Sequence, residues 1–243
     1  MVRRRRSPTE IRQRLNERRA AREKFSEFIA WILNHPSERW VFRGQSQHWP
    51  LRPSIGRSSA QTPEREQLLF KEFKRAALPF VDRSKLANNW DWLAVAQHHG
   101  LPTRLIDWTT NPLVAGYFAS QPSTRGKKDG EIVAVEARKI GFYFPDEDKD
   151  LDPFEITEPR FLRTPALAAR IISQRGLFSI HPNPEKAWYL TNKTERFLIP
   201  AAMKTEFRKA LFAMGIDASD LMADLDGLAA TLRWRFENRM LAE

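Results

Sequence analysis

No continuous helix can run through the middle of this chain, because Gln97–Pro112 contains both a stop and a start. Gly100-Leu101-Pro102 ends a helix that covers Trp90–His99. Glycine readily takes the left-handed conformation that closes helices, and proline bars the residue before it from helical geometry. Thr110 or Asn111 then caps a new helix, with Pro112 in the first helical position. The central part of the chain is therefore built from short elements.

The flanking sequence fits the same plan. Ser7-Pro8-Thr9-Glu10 reads as a capped start. The helix behind it runs to about Asn34, basic in its first half and apolar in its second (Phe25, Phe28, Ile29, Trp31, Ile32). Trp40–Gly44 reads as a buried strand closed by a glycine turn. Pro50–Pro63 reads as loop, Glu64 to about Phe80 as a helix with Leu68, Leu69 and Phe73 on one face, and Pro112–Ser120 as a short helix. Ser123–Asp129 is a polar, hairpin-like loop before the β-branched strand Glu131–Ala137. Phe144–Pro165, acidic and proline-rich, reads as an irregular excursion, and Ala166–Ser173 as a helical turn or a strand. Gly176–His181 and Glu195–Ile199 read as strands, Lys204–Gly215 and Leu221–Trp234 as helices. The expected architecture is α+β: one domain over residues 37–235 with a mixed β core flanked by helices, a basic helical extension over 1–36, and a tail over 236–243.

The chain has 243 residues, 42% of them hydrophobic, with eight Trp and sixteen Phe, so one sizeable core is available and disorder is disfavoured. The absence of cysteine excludes disulfides, thiolate zinc sites and a cysteine nucleophile, and fits a reducing compartment. No segment reaches the roughly 20 apolar residues that span a bilayer. Arg3–Arg6 is not followed by the apolar run of a secretory leader, so the expected location is cytoplasmic, with no membrane partner. The formal net charge of +10 favours contact with polyanions, which makes RNA or DNA an expected partner. The alternatives are a plain basic protein or one covered by an acidic protein partner such as an antitoxin.

Two constellations could carry chemistry. The first is Gln97–Pro112, where His98, His99, Arg104, Asp107, Thr109 and Thr110 crowd together. Adjacent histidines diverge by about 100° on a helix and no His-x-x-x-His spacing is present, so no metal is expected. Each histidine is a helix-end residue or an acid/base group. Arg104 and Asp107 either pair to fix the loop or serve a ligand, and the N-terminus of the Pro112 helix could hold a phosphate. The second is Val41-Phe42-Arg43-Gly44-Gln45, which puts an arginine at the end of a buried strand. Such a cation needs a structural salt bridge or an anionic ligand gripped in its fork.

These segments resemble the FRG domain family, whose aromatic-Arg-Gly motif stands here as Phe42-Arg43-Gly44. Its second block is matched by Trp92-Leu93 and by Gln97–Thr109, then by Asn111–Ala115 and Tyr117–Ala119. A third block is matched by Arg170–Phe178 with His181-Pro182, and the ending by Asp224–Ala229. The resemblance spans about Arg39 to Leu232.

An aromatic-Arg-Gly strand end is also similar to the first motif of the arginine-type ADP-ribosyltransferases. That more distant resemblance implies NAD as substrate and no metal. Arg43, with Gly44 and Gln45, would grip the diphosphate, and Arg104, Thr109 and Thr110 would line the cofactor site. Tyr117 or Phe118 would stack on a ring, and Gln174 or His181 would bind nicotinamide or position the acceptor. Glu195, before the apolar run Phe197–Pro200, would be the catalytic carboxylate; His98, His99, Asp107 and His181 are further acid/base or acceptor-positioning candidates. Departures are the missing Ser-Thr-Ser strand and Lys193 in place of Glu or Gln. The implied function is an NAD-consuming toxin or phage-defence effector with a nucleic acid as acceptor. The rivals are a non-catalytic nucleic-acid or nucleotide-binding module using Trp49, Trp90 and Trp92, and a metal-independent nuclease using histidines.

Overall fold

The computed structural model describes residues 7–57, 62–145, 147, 151–163, 172–190 and 194–241. Helix α1 (Pro8–Leu33) leads into strand β1 (Trp40–Gln45). Helix α2 (Pro63–Ala76) starts on the Thr62 cap and carries Glu64 and Glu66 in its first turn, where the helix dipole favours acids. Helix α3 (Asn89–His98) starts on a capping box made by Asn88 and Asp91. Strand β2 (Leu105–Thr109) and helix α4 (Pro112–Ala119) follow, the helix capped by the Asn111 side chain. Then come β3 (Gly130–Glu136), β4 (Phe142–Tyr143), β5 (Arg160–Leu162), β6 (Gly176–Ile180) and β7 (Thr194–Ile199). The chain closes with α5 (Lys204–Ala213), α6 (Ala218–Met222) and α7 (Leu225–Glu237).

All seven strands form one sheet in the order β4-β5-β6-β2-β1-β3-β7, antiparallel except between β4 and β5. Strand alternation divides the core between its two faces. On one face, Phe42, Ile132, Ala134, Phe197 and Ile199 pack against Phe28, Val114, Phe207 and Leu211 from α1, α4 and α5. Further along the same face, Leu105, Phe178 and Ile180 meet Phe70, Trp90 and Leu93 from α2 and α3. The other face buries Val41, Ile106, Trp108, Val133 and Phe161 under Leu51 and Trp188. The second half of α1 belongs to the core, since Phe25 and Phe28 are buried in it.

Several expectations change. Leu105–Thr109 is a central strand, not part of a loop: Ile106 and Trp108 point to one face while Leu105 and Thr109 point to the other. The excursion over Phe144–Pro165 contains the short strand β5. The expected helix over Leu221–Trp234 is broken, because Ala223 turns left-handed at φ 55° and Asp224 caps a new helix on the Gly227 amide. The Ala166–Ser173 reading falls mostly outside the described residues, as do Arg3–Arg6, Arg170 and Lys193.

Arg104 does not pair with Asp107. Its Nε and Nη2 donate to both carboxylate oxygens of Glu66 at 2.9 and 2.7 Å, and its guanidinium lies over the Phe154 ring. Both partners of this fork are buried. Removing one partner strands the other charge out of water, so Glu66→Ala is expected to destabilise the fold by about 3–5 kcal/mol in urea denaturation. A loss under about 1 kcal/mol would mean that water reaches Arg104.

Candidate functional site

A cleft of about 300 Å³ opens where the α2/α3 layer and the α4 layer part above the middle of the sheet. Strands β1 and β2 share only one register pair there, Phe42 with Thr109, whereas β1 pairs with β3 along its whole length. The Arg43 side chain takes over where that ladder stops. Its Nη1 donates to the Asp107 carbonyl at 2.7 Å, and the Asp107 carboxylate lies 3.8 Å away. The guanidinium side chain is 17% exposed, and its Nε is buried with no hydrogen-bond partner among the described residues. Burial is the main effect that holds Arg43 below the usual arginine pKa; Arg57 adds repulsion and Asp107 partly offsets both. The group nevertheless stays cationic at neutral pH. A partly desolvated cation with an unused donor is a ready anion site.

Asp107 is held from the other side as well. Gln97 Nε2 on α3 donates to its Oδ2 at 2.9 Å, and the Thr103 hydroxyl fixes that amide by donating to Gln97 Oε1 at 2.6 Å. The carboxylate is thus aimed while its side chain stays exposed, and it is the only carboxylate among the described residues lining the cleft. Phe118, Trp108 and Phe178 supply aromatic wall, and His98 and Gln174 stand at the rim. Gln174 ties the site to the C-terminal part: its carbonyl accepts from the Thr109 hydroxyl, and its amide donates to Leu221 O. Gly44 sets the depth of the cleft, because β1 touches the α4 backbone at that residue.

The cleft therefore gathers Arg43, Gly44, His98, Asp107, Thr109, Phe118 and Gln174. The other candidates stand elsewhere. Glu195 shares a register row with Ala134 and Phe42 and so lies on the same face as Asp107, but on edge strand β7, with β3 and β1 between it and β2. Glu195 bonds buried His35 at 2.8 Å instead. Arg104 is bound to Glu66. Gln45 bonds Trp49 O, beside the buried Glu131 that also meets His48 and Arg196. Tyr117 bonds Arg208, Thr110 gives its amide to Arg175 O, and exposed His99 packs edge-on against His98. Trp90 and Trp92 are core residues, and Trp49 stacks with Arg125. No group of three or more His, Cys, Asp or Glu among the described residues could hold a metal ion.

His181 is buried behind the sheet. Trp108 Nε1 donates to Ser179 Oγ at 2.9 Å, leaving the Ser179 hydroxyl to donate to His181 Nε2 at 2.8 Å. That network suits a neutral imidazole. Burial, followed by Arg43 and Arg104, lowers its pKa to about 3. The unfolded chain therefore binds a proton near pH 6.5 that the folded chain refuses until about pH 3. Stability is full above pH 6.5 and falls as pH drops through that window, by at most about 1.4 kcal/mol per unit for one proton. His181→Gln is expected to flatten this acid slope in denaturation curves taken from pH 4 to 7. An unchanged slope would assign the acid sensitivity to other groups.

Sequence reasoning missed Gln97 and Glu66 as partners. Gln97 sits one helix end and one strand start away from Asp107, a spacing that suggests a contact only once Leu105–Thr109 is known to be a strand. Residues 38–128 match the family model of the FRG domain. This segment is similar to the FRG domain. It runs from the start of β1 past α4, and so supplies the arginine, the glutamine, the carboxylate and the capped helix of the cleft. Gln174 and Gly176 on the far wall lie beyond the matched FRG segment. Comparison with curated proteins and with solved structures gives no match. No helix among the described residues is long and apolar enough to cross a membrane.

Proposed function

We propose that the cleft binds NAD and that the chain is an NAD-consuming glycosyl-transfer enzyme of the ADP-ribosyltransferase type. The observation that carries this reading is the Arg43–Asp107 arrangement: one desolvated guanidinium and one aimed carboxylate, 3.8 Å apart, between aromatic walls. Arg43 takes the diphosphate through the part of its side chain that stays exposed at the cleft. The bond between the ribose C1′ and the nicotinamide nitrogen breaks, and its electron pair leaves with nicotinamide, neutralising the ring. The sugar becomes oxocarbenium-like, and an anionic carboxylate beside it stabilises that charge. Asp107 fills this role better than Glu195, which bonds His35 from edge strand β7, with β1 and β3 between it and β2. A water or acceptor hydroxyl then bonds to C1′ and releases its proton. Acting on cellular NAD or on nucleic acid, such an enzyme serves as a toxin or phage-defence effector.

The test is nicotinamide release from labelled NAD by the purified chain, alone and with RNA, DNA or protein lysate. Release with label retained as ADP-ribose, free or on an acceptor, supports the reading. No release under any condition would leave the cleft a binding site without turnover.

A second observation favours nucleic acid as acceptor or partner. Lys127, Lys128, Lys204 and Arg208 line another cleft with Trp234, where Glu237 is the acid among the described lining residues and Asp129 also acts on Lys204. Affinity for single-stranded RNA is expected to fall steeply with salt as counterions are released, by about tenfold or more between 50 and 200 mM. A flat salt dependence would remove nucleic acid from this account.

A further inference from the structure

The last helix has two apolar faces. One packs inward through Gly227, Thr231 and Trp234. The other carries Leu225, Leu228, Leu232 and Phe236, which are 82%, 42%, 44% and 73% exposed. Their spacings of three, four and four residues make a continuous stripe about 100° wide, on the side of α7 away from the protein. An outward stripe of this kind on a 13-residue helix marks an interaction surface rather than scattered apolar residues.

We propose that this stripe is the contact surface of a twofold dimer, in which α7 packs antiparallel against α7 of a second copy. Charge selects that occupant. The helix is acidic at its start, with Asp224 and Asp226, and basic towards its end, with Arg233 and Arg239. Antiparallel pairing therefore brings opposite charges and opposed helix dipoles together. The register is self-complementary too. A twofold axis near Ala230 sets Leu228 against Leu232 of the second copy, Leu225 beside its Phe236, and Asp226 beside its Arg233. Ala229, beside the stripe, lets the helices approach closely. The proposal is independent of the NAD reading.

Sedimentation velocity over a dilution series tests it with the full chain. Wild type is expected to be a dimer that dissociates on dilution. Leu228→Asp with Leu232→Asp replaces exposed side chains, so the melting curve taken at low concentration should hold. The dimer dissociation constant should rise by about 30-fold or more, as for a lost hot spot. Asp226→Arg should weaken the dimer, and adding Arg233→Asp to the same chain should restore it. A wild-type monomer up to the solubility limit would overturn the proposal and leave the stripe to a different partner. A dimer indifferent to the double aspartate variant would overturn it equally.

Discussion

Gly44→Ala is expected to yield little folded protein. The added Cβ would stand 1.9 Å from the Ala115 carbonyl oxygen and 2.8 Å from both the Ala115 carbonyl carbon and the Ala119 nitrogen. All three are backbone atoms of α4, and β1 is held between β2 and β3, so neither side can yield. Ordinary overpacking costs about 1–3 kcal/mol. A backbone collision in the centre of the sheet should exceed that and remove most of a typical domain's stability of about 5–15 kcal/mol. Gly116→Ala is the matched control on α4. Its Cβ meets side chains rather than backbone, the edge of the Phe28 ring at 3.1 Å and Phe207 at 3.5 Å, and alanine favours the helix. Chemical denaturation should place that control within about 1 kcal/mol of wild type. Similar stabilities for the two variants would show that β1 and α4 can separate.

Asp107→Asn is expected to lower NAD turnover by about 100-fold or more while leaving NAD affinity within a few-fold. The amide keeps the Gln97 contact in reach but cannot supply negative charge to a cationic sugar. Glu195→Gln should keep near-wild-type turnover, because its side chain serves His35 from edge strand β7, with two strands between it and β2. Single-turnover nicotinamide release compares the variants. Full activity in Asp107→Asn together with loss in Glu195→Gln would return the catalytic role to Glu195.

The fold was readable where local signals agreed with tertiary structure. Asn111-Pro112, Thr62-Pro63 and Ser7-Pro8 mark helix starts because capping is a local event. Strand β2 was obscured because Asp107 within it and Arg104 just before it carry charge, and the contacts that satisfy them come from α2, α3 and β1. No local pattern announces such partners. Arg43 was legible as a cation at a buried strand end that must meet something, and it meets Asp107. Glu195 stands apart from the cleft because sequence order does not tell how far apart strands lie in a sheet: it is on edge strand β7, with β1 and β3 between it and Asp107. The histidines divided along burial, with His98 at the cleft and His181 shut behind the sheet.

Isothermal titration of NAD into wild type and into Arg43→Ala bears most directly on the central claim, that this cleft is an NAD site gripped by Arg43. A thermal melt of each protein shows that both are folded. Wild type is expected to give a saturable one-to-one isotherm, and Arg43→Ala to bind about 10-fold to 100-fold more weakly, the loss of a charge-assisted phosphate contact. No heat from wild type, or equal affinity in a folded Arg43→Ala protein, would contradict the claim.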